Sequence, residues 1–187
     1  MLRPTYPLET ERLVLRPFTV EDHDDAYAYH SRQDVVRYLY WEAPGVVEFR
    51  EVLHRKMART ALLREGDGLN LAVVPRDVGR VIGDVALSWR SAEHRQGEVG
   101  FVFHPDFQGR GYATEAARAM LRLGFGGAGL HRIVGRLDGR NTASAAVLER
   151  LGMRREAHLV ENEFVKGEWT DEVVYALLDR EWAASAS

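Results

Sequence analysis

Gly109 and Gly111 stand at the junction of an apolar run, Phe101-Val102-Phe103, a short polar turn, and a helical stretch beginning Tyr112-Ala113-Thr114-Glu115. Neither glycine carries a Cβ, so the backbone there can take unusual φ/ψ values and bring its N–H groups close to a ligand. Those N–H groups open a helix, where the first donors lack partners and the dipole favours an anion. A phosphate-binding turn and a plain glycine-rich connection both follow from the glycines alone.

Spacing discriminates among phosphate sites. A P-loop needs Lys and Ser/Thr at the helix start, and Arg110-Gly111-Tyr112 offers no lysine. A dinucleotide fingerprint needs three glycines tight against the strand end, with an acid further on. Here His104 to Gln108 intervene and the third glycine is missing, although Asp138 could mimic the acid. A third pattern fits. Gln108-x-x-Gly111-x-Ala113 resembles the coenzyme A turn of the GNAT superfamily of acetyl-CoA-dependent N-acetyltransferases. Asn141-Thr142-Ala143-Ser144, continuing to Leu151-Gly152-Met153, is similar to a second segment of that family. The opening Leu8-Glu9-Thr10-Glu11-Arg12-Leu13 and the closing Lys166-Gly167-Glu168-Trp169 to Glu181-Trp182 resemble one branch, the ribosomal-protein alanine/serine N-terminal acetyltransferases.

The resemblance implies acetyl transfer from acetyl-CoA to a primary amine by direct attack. It assigns the pyrophosphate to Gln108, Gly109, Arg110, Gly111, Tyr112, Ala113 and Thr114. It assigns the pantetheine to Phe101, Val102 and Phe103, on a strand that splays from its neighbour, with an N–H near Phe103 facing the developing oxyanion. One such donor is worth about 3 kcal/mol. Asn141 and Ser144 complete the coenzyme site. Many relatives carry a tyrosine acid seven residues after the asparagine; Leu148 stands there and cannot donate a proton. Ser144 either protonates the leaving thiolate or only hydrogen-bonds coenzyme A. Glu163 is the first choice of base, with Glu161, Glu98 and a carboxylate without a role as alternatives. Tyr38, Tyr40 and Trp41 are candidates for the acceptor wall. The implied acceptor is a protein N-terminal α-amino group. A small-molecule amine (polyamine, amino-sugar or amino acid) is the alternative, and a non-catalytic acyl-CoA-binding module is the rival class.

The elements that must position these residues read as α+β. Strands are expected over 13–18, 69–74, 81–87, 98–103, 133–137, 154–165 and 169–178. Helices are expected over 21–30, 46–63, 112–125 and 142–151, with a short one within 35–41. Asn141 reads as an N-cap and Gly152 as a helix C′ residue, while Gly124, Gly126, Gly127 and Gly129 read as a frayed helix end. The acidic run Glu21-Asp22-His23-Asp24-Asp25 reads as a solvated helix start rather than a metal site. The expected fold is GNAT: a single mixed, mostly antiparallel central sheet flanked by helices, in one domain with its core at about 8–182.

Composition adds exclusions. The 187 residues carry 45% hydrophobic residues, enough for one core, and a net charge of −3 gives no basic footprint for nucleic acid. Zero cysteines exclude disulfides and an acetyl-cysteine route, and none of the seven histidines has metal-ligand spacing; His104 before Pro105 reads as structural. No apolar run approaches a membrane span, so the protein reads as soluble and cytoplasmic. Family resemblance is compatible with a homodimer.

Overall fold

The computed structural model describes residues 1–185. Its strands are β1 (Leu8–Glu9), β2 (Leu13–Pro17), β3 (Gly68–Pro75), β4 (Gly83–Ser91), β5 (Gln96–Phe103), β6 (Arg132–Asp138), β7 (Arg154–Val165) and β8 (Glu168–Leu178). They form one open sheet in the order β1-β2-β3-β4-β5-β6-β8-β7. Every neighbouring pair is antiparallel except β5 with β6. The helices are α1 (His23–His30), α2 (Gln33–Val36), α3 (Val46–Met57), α4 (Tyr112–Arg122), α5 (Thr142–Arg150) and α6 (Asp179–Ser185). This is the mixed, mostly antiparallel sheet flanked by helices that the sequence resemblance implies.

Side chains alternate across a strand, so β3 feeds two cores. Leu69, Leu71 and Val73 join a cluster with Ala116, Ala117, Met120 and Leu121 of α4 and Val147 and Leu148 of α5. Ala72 turns to the other face, with Ala26 and Tyr29 of α1 and Phe49 and Leu53 of α3. The apolar stripe of α4 recurs at helical spacing, which is why that helix lies flat on the sheet.

The feature that matters for chemistry is a gap. β5 and β6 pair only at Gln96–Arg132, Gly97–Ile133 and Glu98–Val134, then part. His104 donates its N–H to the Ile82 carbonyl at 2.8 Å. Antiparallel alternation therefore directs the backbone groups of Val102 and Gly100 to β4 and those of Phe101 and Phe103 into the gap.

Several local expectations need correction. The helix expected over 46–63 ends at Met57, because Thr60 and Leu62 are drawn into bridges with Leu69 and Leu2. Only Gln33–Val36 is helical in the 35–41 region, and a tight turn follows. Gly124 is not a frayed end. It is buried in a π turn (Leu123–Gly127), and a Cβ there would lie 2.5 Å from Ile133 Cδ1. The acidic run is also not uniformly solvated: Asp22 is buried, taking two 2.7 Å bonds from Arg16 in a 3₁₀ turn that precedes α1. Strand β1 and helix α6 were not anticipated.

Candidate active site

Helix α4 begins at the glycine turn. Gly109 and Gly111 take φ of +74° and +80°, the left-handed region, and a Cβ on Gly109 would meet nothing within 4 Å. The first helical bond runs from Glu115 N–H to the Gly111 carbonyl at 3.0 Å. The N–H groups of Tyr112, Ala113 and Thr114 thus have no carbonyl within the helix. Thr114 Oγ1 is buried with no partner among the described residues. Open backbone, orphaned donors and a spare hydroxyl fit the pyrophosphate of a coenzyme.

The turn is braced from behind. Glu115 accepts from Thr10 Oγ1 at 2.6 Å and from Arg12 N and Nε at 2.9 and 2.7 Å. Burial raises the Glu115 pKa, but these bonds outweigh it and hold the carboxyl below its ordinary value. Arg12 also donates to the Arg110 carbonyl at 2.9 Å and lies over the buried Tyr112 ring. Arg110 itself is exposed and reaches the Asp106 carbonyl at 3.1 Å. Gln108 Nε2 donates to the Phe103 carbonyl at 3.1 Å, fastening the strand end to the turn. His104 Nδ1 accepts from Asp106 N–H, a capping contact.

Asn141 Oδ1 accepts the Ser144 N–H at 3.1 Å, capping α5 on the same face as α4. Gly152, at φ +82°, closes that helix as expected. Leu148 lies against β6 so closely that a Cβ on Gly135 would be 2.7 Å from its methyls. That position is packing, not proton transfer.

The opposite face carries a cleft of about 750 Å³ over β5, β6 and β8, bounded by β7 and the loop after α2. Arg90, Arg132 and Arg136 line it together with Glu98, Glu163 and Glu172. Glu98 receives Arg90 at 3.0 Å and Arg136 at 3.9 Å. Glu172, almost fully buried, receives Arg136 at 2.8 Å and Asn162 Nδ2 at 3.0 Å. Glu163 lines the cleft with Tyr40, and no cation among the described residues pairs with it. Burial, reinforced by the nearby Glu163 carboxylate, pushes the Tyr40 phenol well above its ordinary value. Lys166 donates to the Val36 carbonyl at 2.5 Å, which anchors the β7–β8 hairpin to the same loop. Glu161 is not beside Glu163: it sits at φ +47° in a register shift, its N–H bonded to Asp171.

Sequence reasoning missed Arg136, Glu172 and a buried cluster further along this face. There Asp84 receives Lys56 at 2.8 Å, His30 Nε2 at 2.9 Å and the Tyr29 hydroxyl at 3.0 Å. A lone aspartate inside the apolar run Val81 to Leu87 was the available signal. Glycine at position 100, mid-strand, was the signal for an open site. No cluster of metal-binding side chains occurs among the described residues, and no helix there is long and apolar enough to cross a membrane.

The model of the acetyltransferase (GNAT) domain family matches residues 12–154. The uncharacterized N-acetyltransferase YnaD of Bacillus subtilis (strain 168) is 34% identical over 178 residues, spanning 94% of this chain and 98% of its own. A GNAT-family acetyltransferase crystal structure from Bacillus anthracis superposes with a TM-score of 0.83 at 32% identity, covering 92% of this chain and 98% of that one. Spermidine N-acetyltransferase from Vibrio cholerae, in complex with CoA and spermine, shares the fold with a TM-score of 0.77 at 22% identity, covering 93% and 99%.

Proposed function

The chain belongs to the GNAT acetyltransferase family, whose members are acetyl-CoA-dependent N-acetyltransferases, and we propose that it acetylates the N-terminal α-amino group of a protein or peptide by direct attack. The observation that carries this reading is Glu163, the cleft carboxylate that no cation among the described residues pairs with, on the face opposite the glycine turn. Acetyl-CoA, bound through the turn, supplies the activated acetyl group. The N–H groups of Tyr112, Ala113 and Thr114 and the Thr114 hydroxyl hold its phosphates, and Asn141 and Ser144 flank the pantetheine. The Phe103 N–H, directed into the gap between β5 and β6, meets the developing oxyanion.

The acceptor enters from the cleft face as an ammonium. Glu163 takes a proton from it, which frees the lone pair to attack the thioester carbonyl. The C–N bond forms and the C–S bond breaks; the departing thiolate takes a proton from the Ser144 hydroxyl, and the second proton shed by the nitrogen as it becomes an amide passes through solvent to restore that hydroxyl. Tyr40 fixes the Glu163 carboxylate while the amine approaches. The sequence resemblance to ribosomal-protein acetyltransferases favours an α-amino acceptor. The spermine complex of a fold relative keeps a polyamine as the second reading.

The test is acetyl-CoA-dependent thiol release with separate pools of N-terminal peptides, polyamines and amino-sugars. A chain without cysteine contributes no background thiol. Release that rises with the peptide pool supports the proposal; release with polyamines alone transfers it to the second reading.

A further inference from the structure

Four adjacent strands present one row of alternating charge on the cleft face: Arg90 on β4, Glu98 on β5, Arg136 on β6 and Glu172 on β8. The row crosses the sheet where β5 and β6 begin to part. Arg136 lies two residues beyond the last β5–β6 pair, Glu98–Val134, and Gly100 lies two beyond it on β5, where a Cβ would meet no atom within 4 Å. Arg136 therefore stands at the cleft mouth of the gap, beside open space. Its side chain is 43% exposed, and its Nη1 and Nε turn toward Glu172 and Glu98. A guanidinium has five N–H donors, so these partners leave others for an incoming group.

From this geometry we infer that Arg136 selects the acceptor, and that the acceptor carries a carboxylate close to its amine. This rests on the proposed reading of the site. Glu163 takes the ammonium and Arg136 takes the carboxylate, a pairing that guanidinium geometry makes strong and directional. A polyamine brings two or more ammonium groups and needs an unpaired carboxylate for each. This cleft offers one, because Glu98 and Glu172 are already neutralised by arginine. The required carboxylate has two chemical sources: the α-carboxylate of a free amino acid, or an acidic side chain at the start of a peptide.

The test compares kcat/KM for free amino acids, for peptides with acidic or amidated side chains at their first two positions, and for spermidine. The carboxylate form of each matched pair is expected to exceed its carboxamide by about tenfold or more, as a charge-assisted hydrogen bond implies. The amino-acid arm and the peptide arm separate the two sources. In Arg136→Met with Glu172→Gln, which removes the guanidinium without stranding a buried carboxylate, that ratio falls toward one. Arg136→Lys keeps the charge but loses the fork, and lowers the ratio partway. Equal rates for the matched pairs, spermidine as the best acceptor, or a ratio indifferent to both variants would overturn the inference while leaving acetyl transfer intact. Failure of every amine to support turnover would instead remove the reading of the site on which it rests.

Discussion

Tyr40 and Glu163 line the same cleft, so the loop after α2 meets strand β7 at its mouth. Residues 123 positions apart in sequence thus meet at the one cleft carboxylate that no described cation holds. The Lys166 bond to the Val36 carbonyl secures the same loop a few residues away. In the proposed reading, loop and hairpin together set the place of the amine.

Tyr40→Phe removes the donor and keeps the ring. A hydroxyl that donates to the Glu163 carboxylate as the amine binds is worth about 1.5–3 kcal/mol, so kcat/KM for the acceptor should fall by about tenfold or more. The dissociation constant for acetyl-CoA, measured by titration calorimetry, should not change. An equal loss in both would mean that the loop supports the coenzyme side instead.

Gly111→Val places a β-branched side chain at φ +80°, with its Cβ 3.3 Å from Arg12 Nη2. Such strain costs about 1–3 kcal/mol, and relief of it reshapes the turn. The acetyl-CoA dissociation constant should rise by about tenfold or more. A folded variant with wild-type affinity would count against the turn as the phosphate site.

The buried Asp84 cluster makes a stability prediction. Asp84→Asn leaves the Lys56 ammonium without its carboxylate, and breaking a buried pair in this way costs about 3–5 kcal/mol. The pH dependence has two sources. Burial, against the pull of Asp84, holds the His30 pKa below its ordinary value. The unfolded chain protonates histidine near pH 6.5 while the native ring stays neutral, so stability falls as pH drops below about 6.5. For Asp84, burial raises the pKa, but Lys56 and His30 outweigh it and hold the carboxyl well below the usual range. Its contribution is present above about pH 4 and is lost as pH falls further. Denaturant midpoints measured across this range should show both declines, the second one shallower in Asp84→Asn.

What the sequence made legible was local. The glycine turn, the Asn141 cap, the Gly152 helix stop and the Lys166-Gly167 hairpin each depend on a few neighbouring residues with defined φ/ψ or capping chemistry. Tyr40 could be named as an acceptor-wall candidate through family resemblance. The Arg90–Glu98–Arg136–Glu172 row could not, because it exists only once four strands take their register. Gly124 looked like helix fraying for a similar reason: the Ile133 side chain that demands a glycine comes from a different strand. Asp84 passed unremarked within an apolar run, because its partners His30 and Lys56 come from helices α1 and α3, distant in sequence.

The most direct test of the account is Glu163→Gln, which preserves shape and removes the base. Turnover with an N-terminal peptide acceptor should fall by about 10²-fold or more, the range for losing a general base, while acetyl-CoA affinity stays at the wild-type value. Undiminished turnover would contradict the assignment of Glu163 and return the choice of base to the other carboxylates of the cleft.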